Sequence, residues 1–182
     1  FTYLHLAPDR AQTEDLVASG VTAIAYETVT DAQGTLPLLT PMSEVAGRMA
    51  PHVGAYWLEK PHGGRGVLLG GSPGVAPAEV LIIGAGVVGS NAALIATGMG
   101  ADVTVVARHP DSLRRVALQF GSRVRTAIST RDAIENLCRH SDLVIGAVLI
   151  AGASAPKLIT AETVRTMKPG SVIVDVAIDQ GG

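Results

Sequence analysis

Only one cysteine, Cys138, occurs in the 182 residues, so no disulfide framework within the chain is available and the fold must rest on packing. A lone thiol also suits a cytoplasmic protein. Charge is scarce as well: Asp, Glu, Lys and Arg make up 16% of the residues, and the formal net charge is -2 at pH 7. A balance this close to zero gives no electrostatic reason to expect nucleic acid or an anionic membrane surface as a partner. No apolar run reaches the ~18 residues needed to cross a bilayer. Internal repeats and low-complexity tracts are also missing. What is present is 47% hydrophobic residues and 21 glycines, a globular composition with apolar mass for one complete core and part of another. The chain opens on Phe1 inside the apolar FTYLHLA and stops at Gly181-Gly182 just after another strand-like run. It is therefore expected to be a segment of a longer polypeptide.

FTYLHLA (1–7) reads as a buried strand, Pro8-Asp9 as a turn, 11–19 as a helix ended by Gly20, and VTAIAYETV (21–29) as a second strand. Such a piece is too small to stand alone, so 1–36 is expected to be part of a second α/β domain. A long helix follows, with Thr40 as its cap and Pro41 at its first position. Met42, Val45, Ala46, Met49, Val53 and Trp57 recur at helical spacing as one apolar stripe, and Pro51 within it predicts a kink. Residues 37–58 thus read as a connector between domains. Beyond a glycine- and proline-rich loop the pattern becomes regular, with strands at 80–83, 102–106, 124–128, 142–147 and 171–176 separated by helical stretches. Short apolar strands alternating with helices imply a doubly wound parallel sheet, a Rossmann-type domain over 59–182 with strand order 3-2-1-4-5. Lys60, Arg65, His52, His62 and His140 have no partner at a catalytic spacing and read as surface or loop residues.

Gly84, Gly86 and Gly89 form G-x-G-x-x-G directly after the first of these strands, with Val87 and Val88 opening the next helix. The first glycine permits a tight turn, the second lets the backbone approach a pyrophosphate, and the third lets helix and strand pack closely. The helix amino terminus adds unpaired N–H groups and a partial positive charge for the phosphates. A bare motif of this kind is weak, but its place between strand and helix points to a dinucleotide. An acidic residue is expected about 20 residues further on, where it would accept hydrogen bonds from the adenosine ribose. Ala107 stands there instead, followed by Arg108 and His109. A carboxylate would repel the 2′-phosphate of NADP; alanine does not, and Arg108 could attract it, so either NAD or NADP is expected as cofactor. The alternative is that Arg108 is a solvated loop cation.

The motifs TPMSEVAGR, GGRGVLLGG-PGV, GAGVVG, DLVIGAVL, APKLIT, MKPGSVIVDVAIDQGG and FTYLHLA together resemble alanine dehydrogenase, in register across essentially the whole chain. The proton-translocating transhydrogenase alpha subunit shares some of these motifs but usually carries a longer insertion after its connector helix. The resemblance implies a reversible oxidative deamination of L-alanine to pyruvate and ammonium, with hydride passing to the nicotinamide ring and water attacking the resulting imine. It implies His5 as proton shuttle and Asp179 as the carboxylate that assists it. Histidine titrates near neutrality, as reversible proton transfer requires, although a lone histidine in an apolar strand is more often a core residue. By the same resemblance Ser43, Ser129, Val148, Leu149, Val176, Ala177 and Ile178 contact the cofactor and Met42 the substrate. Ser43 also suits an ordinary hydroxyl in a first helical turn, and Met42 also belongs to the apolar stripe. The family further implies a homo-oligomer, a hexamer, and places the substrate-carboxylate Arg and Lys upstream of Phe1, so the segment alone is expected to be inactive. Two other readings stay open: a transhydrogenase subunit that needs neither His5 nor an alanine pocket, and a nucleotide-binding module without turnover.

Overall fold

The computed structural model describes residues 1–150 and 152–181, the side chain of Asp179 excepted. Strands β1 (Glu79–Ile83), β2 (Asp102–Ala107), β3 (Val124–Ile128), β4 (Leu143–Gly146) and β5 (Val172–Asp175) form one sheet. Every pairing in it is parallel, and the spatial order is β3-β2-β1-β4-β5, as the alternation of strands and helices predicts. Strand β1 is paired on both edges, by β2 and by β4, which makes the end of β1 the point where the winding reverses.

Helices α3 (Val87–Gly98), α4 (Pro110–Phe120), α5 (Arg131–His140) and the short α6 (Ala161–Arg165) form the crossovers. Covering the sheet on two faces buries the central strands on both sides, so they read as continuous apolar runs rather than alternating ones. Val80, Leu81, Ile82 and Ile83 are all at most 2% exposed. Two apolar clusters result, one around Ile82, Val105 and Ile145 and one around Leu81, Ile83 and Val144.

Helix α2 (Thr40–Trp57) runs through Pro51 and packs on α3 and β4. Its buried face consists of Gly47, Ala50, Pro51 and Gly54, not of the large apolar residues. A Cβ on Gly47 would meet the Val88 carbonyl oxygen at 2.4 Å, and one on Gly54 would meet Leu143 Cδ2 at 2.5 Å. Close approach of backbone to backbone therefore selects the small residues, and Met42, Val45, Met49, Val53 and Trp57 remain exposed. The apolar stripe is thus an outer face. Thr40 is not the cap: Leu39 holds that position, and the Thr40 hydroxyl donates to the Leu36 carbonyl at 3.0 Å.

The amino-terminal segment departs most from expectation. Helix α1 (Arg10–Ser19) is capped by the Asp9 carboxylate and ended by Gly20 in a left-handed conformation, but neither flanking segment is a strand. All that remains of the pairing is a parallel bridge between Thr2 and Ala25. The Glu27 carboxylate takes the backbone donors a ladder would use, accepting from Leu4 N at 3.2 Å and His5 N at 2.7 Å. His5 adopts φ 48°, which breaks the alternation of a strand. Arg65 is likewise no free loop cation. It lies 3.0 Å from the buried Asp142 carboxylate, which Lys168 also meets at 2.9 Å.

Candidate nucleotide and substrate site

The turn from β1 into α3 shows what each glycine does. Gly84 has φ 118°, a region closed to side chains, and a Cβ there would meet the Ala147 carbonyl oxygen at 2.5 Å. Gly89 brings α3 onto the strand so closely that a Cβ would sit 1.9 Å from the Gly84 carbonyl oxygen. Gly86 differs from both. Its φ of -83° is open to any residue, and among the described residues no atom beyond its chain neighbours lies within 4 Å of an added Cβ. The space it leaves faces outward, where a ligand backbone or phosphate can approach.

That space belongs to a cleft of about 560 Å³ at the carboxyl ends of the strands, within the range of roughly 300–1,000 Å³ usual for small-molecule sites. Ser43, Gly84, Gly86, Val87, Val88, Ala107, Arg108, Ser129, Val148 and Leu149 all line it, so most of the residues singled out from sequence are brought together. The Ser129 amide donates to the Ala107 carbonyl at 2.9 Å, tying the ends of β3 and β2 side by side. His109, Ser112 and Arg115 also line the cleft, and no Asp or Glu does so among the described residues. The fit to a dinucleotide is therefore good: an open glycine, a free helix amino terminus and cations without a repelling carboxylate.

A smaller pocket adjoins it, lined by Met42, Val176, Ala177 and Gln180 and sharing Ser43, Val88, Val148 and Leu149 with the large cleft. Ile178 is 67% exposed and lines neither. Asp179 stands in the 3-10 turn Ile178–Gln180, but its side chain lies outside the described residues. Gln180 is buried, and its Nε2 lies 2.6 Å from His5 Nδ1. The bond joins the amino-terminal segment to the end of the sheet across 175 positions. With the amide donating, Nδ1 is the acceptor in this bond.

Glu27 anchors the other side of His5. Burial disfavours its charge, but backbone N–H bonds from Glu27 itself, His5 and Leu4, together with the attraction of His5, hold its carboxyl below the ordinary value. Sequence reading missed Glu27, Gln180, Ser112 and Arg115. Gln180 sits beside Asp179 in the quoted IDQGG, and Arg115 falls one helical turn after Ser112 on α4, so spacing alone could have flagged both. Glu27 gives no such signal, because its role depends on a fold of the segment that the alternation pattern misreads. Cys138 takes no part; burial pushes its thiol up to about 11. Among the described residues no helix is long and apolar enough to cross a membrane, and no cluster of acidic, His or Cys side chains could hold a metal.

A doubly wound parallel sheet with a glycine turn at its reversal point and an open cleft above it defines the Rossmann class of nucleotide-binding proteins. Comparison with known families narrows this. Residues 50–182 match the family model "Alanine dehydrogenase/PNT, C-terminal domain" and residues 1–46 match "Alanine dehydrogenase/PNT, N-terminal domain". The chain belongs to the alanine dehydrogenase/PNT family. It is 60% identical, over all 182 residues, to 49% of the alanine dehydrogenase of Mycolicibacterium smegmatis. It thus spans about half the length of the curated relatives it matches. A solved L-alanine dehydrogenase superposes with a TM-score of 0.88 at 53% identity, covering 99% of this chain and 50% of that one. A transhydrogenase from Sinorhizobium meliloti is more distant, with a TM-score of 0.74 at 28% identity over 98% of this chain and 52% of that one.

Proposed function

We propose that the full-length protein is an alanine dehydrogenase, catalysing the reversible deamination of L-alanine to pyruvate and ammonium with NAD or NADP. The observation that carries this reading is the His5–Gln180 bond of 2.6 Å, which holds a histidine against the wall of a pocket continuous with the glycine-lined cleft. A transhydrogenase subunit has no use for that histidine. When bound, the nicotinamide supplies the hydride acceptor. Gly84, Gly86 and Gly89 with the first turn of α3 hold the pyrophosphate, and Ser129 lies toward the adenine side. Val148, Leu149, Val176 and Ala177 form the wall between cleft and substrate pocket, and Met42 closes the substrate side. His5 exchanges protons while Gln180 fixes its ring, and Asp179 assists from the turn after β5.

The replacement of the ribose-binding acid by Ala107 and Arg108 extends the reading to NADP(H), accepted at least as well as NAD(H). Domain organisation follows the same division: 1–36 in the substrate domain, 37–58 as connector and 59–182 as the nucleotide domain. The exposed apolar face of α2 supplies a surface on which a homo-oligomer, in this family reading a hexamer, could assemble. The decisive experiment mixes full-length protein with L-alanine and either oxidised nucleotide and follows reduced nicotinamide by absorbance. Production of pyruvate in step with it is expected. Nucleotide binding without alanine-dependent reduction would return the protein to a binding subunit.

A further inference from the structure

We infer that Arg115, with Ser112, forms the second half of a clamp for the 2′-phosphate of NADP(H), so that nucleotide selectivity is set from α4 as well as from the end of β2. This rests on the reading that Arg108 faces a bound nucleotide, and deepens it by assigning the second cation. A phosphomonoester carries about -1.5 to -2 charges near pH 7. One guanidinium neutralises only about half of that, so a site built around Arg108 alone leaves the anion undercompensated.

Arg115 lines the same cleft as Ala107, Arg108 and His109. It stands three residues after Ser112 on α4, on the same side of the helix, and its Nη2 donates to Ser112 Oγ at 3.0 Å. The adjacent Arg114 is used differently, pairing with Asp111 at 2.5 Å. Of two neighbouring arginines, then, α4 turns Arg115 toward the cleft. Among the described residues neither Arg108 nor Arg115 forms an ion pair. Their guanidinium donors are therefore available to an incoming anion. The Ser112 hydroxyl accepts from Arg115 and keeps its own proton for a phosphate oxygen. Three further features agree. No carboxylate lines the cleft among the described residues, Ala107 adds no bulk, and the amino terminus of α4, after the cap position His109, carries no side-chain cap.

The test uses full-length protein and follows binding, not turnover, by fluorescence titration of NADPH and NADH. Arg115→Leu is expected to weaken NADPH about 10-fold, the lower end of what a charge-assisted bond supplies at an exposed site. NADH affinity should stay within about twofold, and Arg115→Lys should recover part of the loss. If Arg115→Leu leaves NADPH affinity intact while Arg108→Leu removes it, the clamp is overturned and the Arg108 reading survives. Equal loss of both nucleotides also overturns it, since that marks a structural role. A native protein that prefers NADH tenfold or more removes the Arg108 reading and the clamp together.

Discussion

His5 is the only described non-glycine residue with a positive φ, at 48°. Such a conformation costs on the order of 1 kcal/mol or more and persists only where neighbours hold it. Two neighbours do so here: the Glu27 carboxylate on its amide and Gln180 on its ring. Backbone and ring of His5 are thus held from two separate segments of the chain. In the full-length protein His5→Ala is expected to lower turnover by ~100-fold or more with little change in nucleotide binding, because lost proton transfer alone is worth about 10²–10⁴-fold. Asp179→Ala should behave alike, and steady-state rates beside NADH titration check both. Glu27→Ala should free the Leu4 and His5 amides, seen as faster hydrogen exchange there and not in β1. Since the folded state holds the Glu27 carboxyl below its ordinary value, its stabilisation is present above the unfolded value of about 4.3 and is lost as pH falls through the folded one. Protection of those two amides, relative to their intrinsic exchange rates at each pH, should therefore fall selectively on acidification, and a flat protection profile would show that the carboxylate is not what orders the segment.

Helix α2 shows why a periodic pattern can be read correctly as a helix and still be assigned the wrong face. The spacing of Met42, Val45, Met49, Val53 and Trp57 is helical, and the helix is present at 40–57. Yet burial is decided by how near α3 approaches, and only Gly47, Ala50, Pro51 and Gly54 let it come close. The sheet was legible for the opposite reason. Its strands lie between crossovers on two faces, so hydrophobicity, strand length and order all agree, and the glycine turn lands at the reversal point. The strands read into 1–7 and 21–29 failed because the Glu27 carboxylate takes the Leu4 and His5 donors of the first, while the second turns into a 3-10 segment at Tyr26–Thr28. Gly47→Ala makes the α2 argument quantitative. Alanine favours a helix over glycine by about 1 kcal/mol, but here its Cβ would press on the Val88 carbonyl oxygen at 2.4 Å, a backbone atom that cannot rotate away. Overpacking of this kind typically costs about 1–3 kcal/mol, so the substitution should lower the denaturant midpoint, whereas Met49→Ala on the outer face should cost far less in a monomeric state.

Across the whole molecule charges nearly cancel, at -2 overall, but not where the strands end. The charged side chains that line the cleft among the described residues are Arg108, Arg115 and, when protonated, His109. This local excess reflects Arg108 and Arg115 together with Ala107, which stands where a carboxylate is expected, at the buried end of β2 beside β3. In a cleft with low-dielectric walls such a field is focused on the ligand, while net charge reports nothing about it. Restoring the acid should therefore act on selectivity, leaving the fold unaltered. Ala107→Asp with Arg108→Ile returns the ribose hydroxyl acceptor, adds repulsion toward a 2′-phosphate and deletes one cation. NADPH affinity should fall by ~10- to 150-fold, the equivalent of one well-formed charge-assisted bond, and NADH affinity should hold or improve. Native protein should show the reverse order, with NADPH bound at least as tightly as NADH and more weakly as salt is raised, because the added attraction is ionic. Paired titrations at two ionic strengths decide the matter: if the native protein binds NADPH no better than the double variant does, Arg108 points into solvent and the cleft's positive lining has no part in choosing its nucleotide.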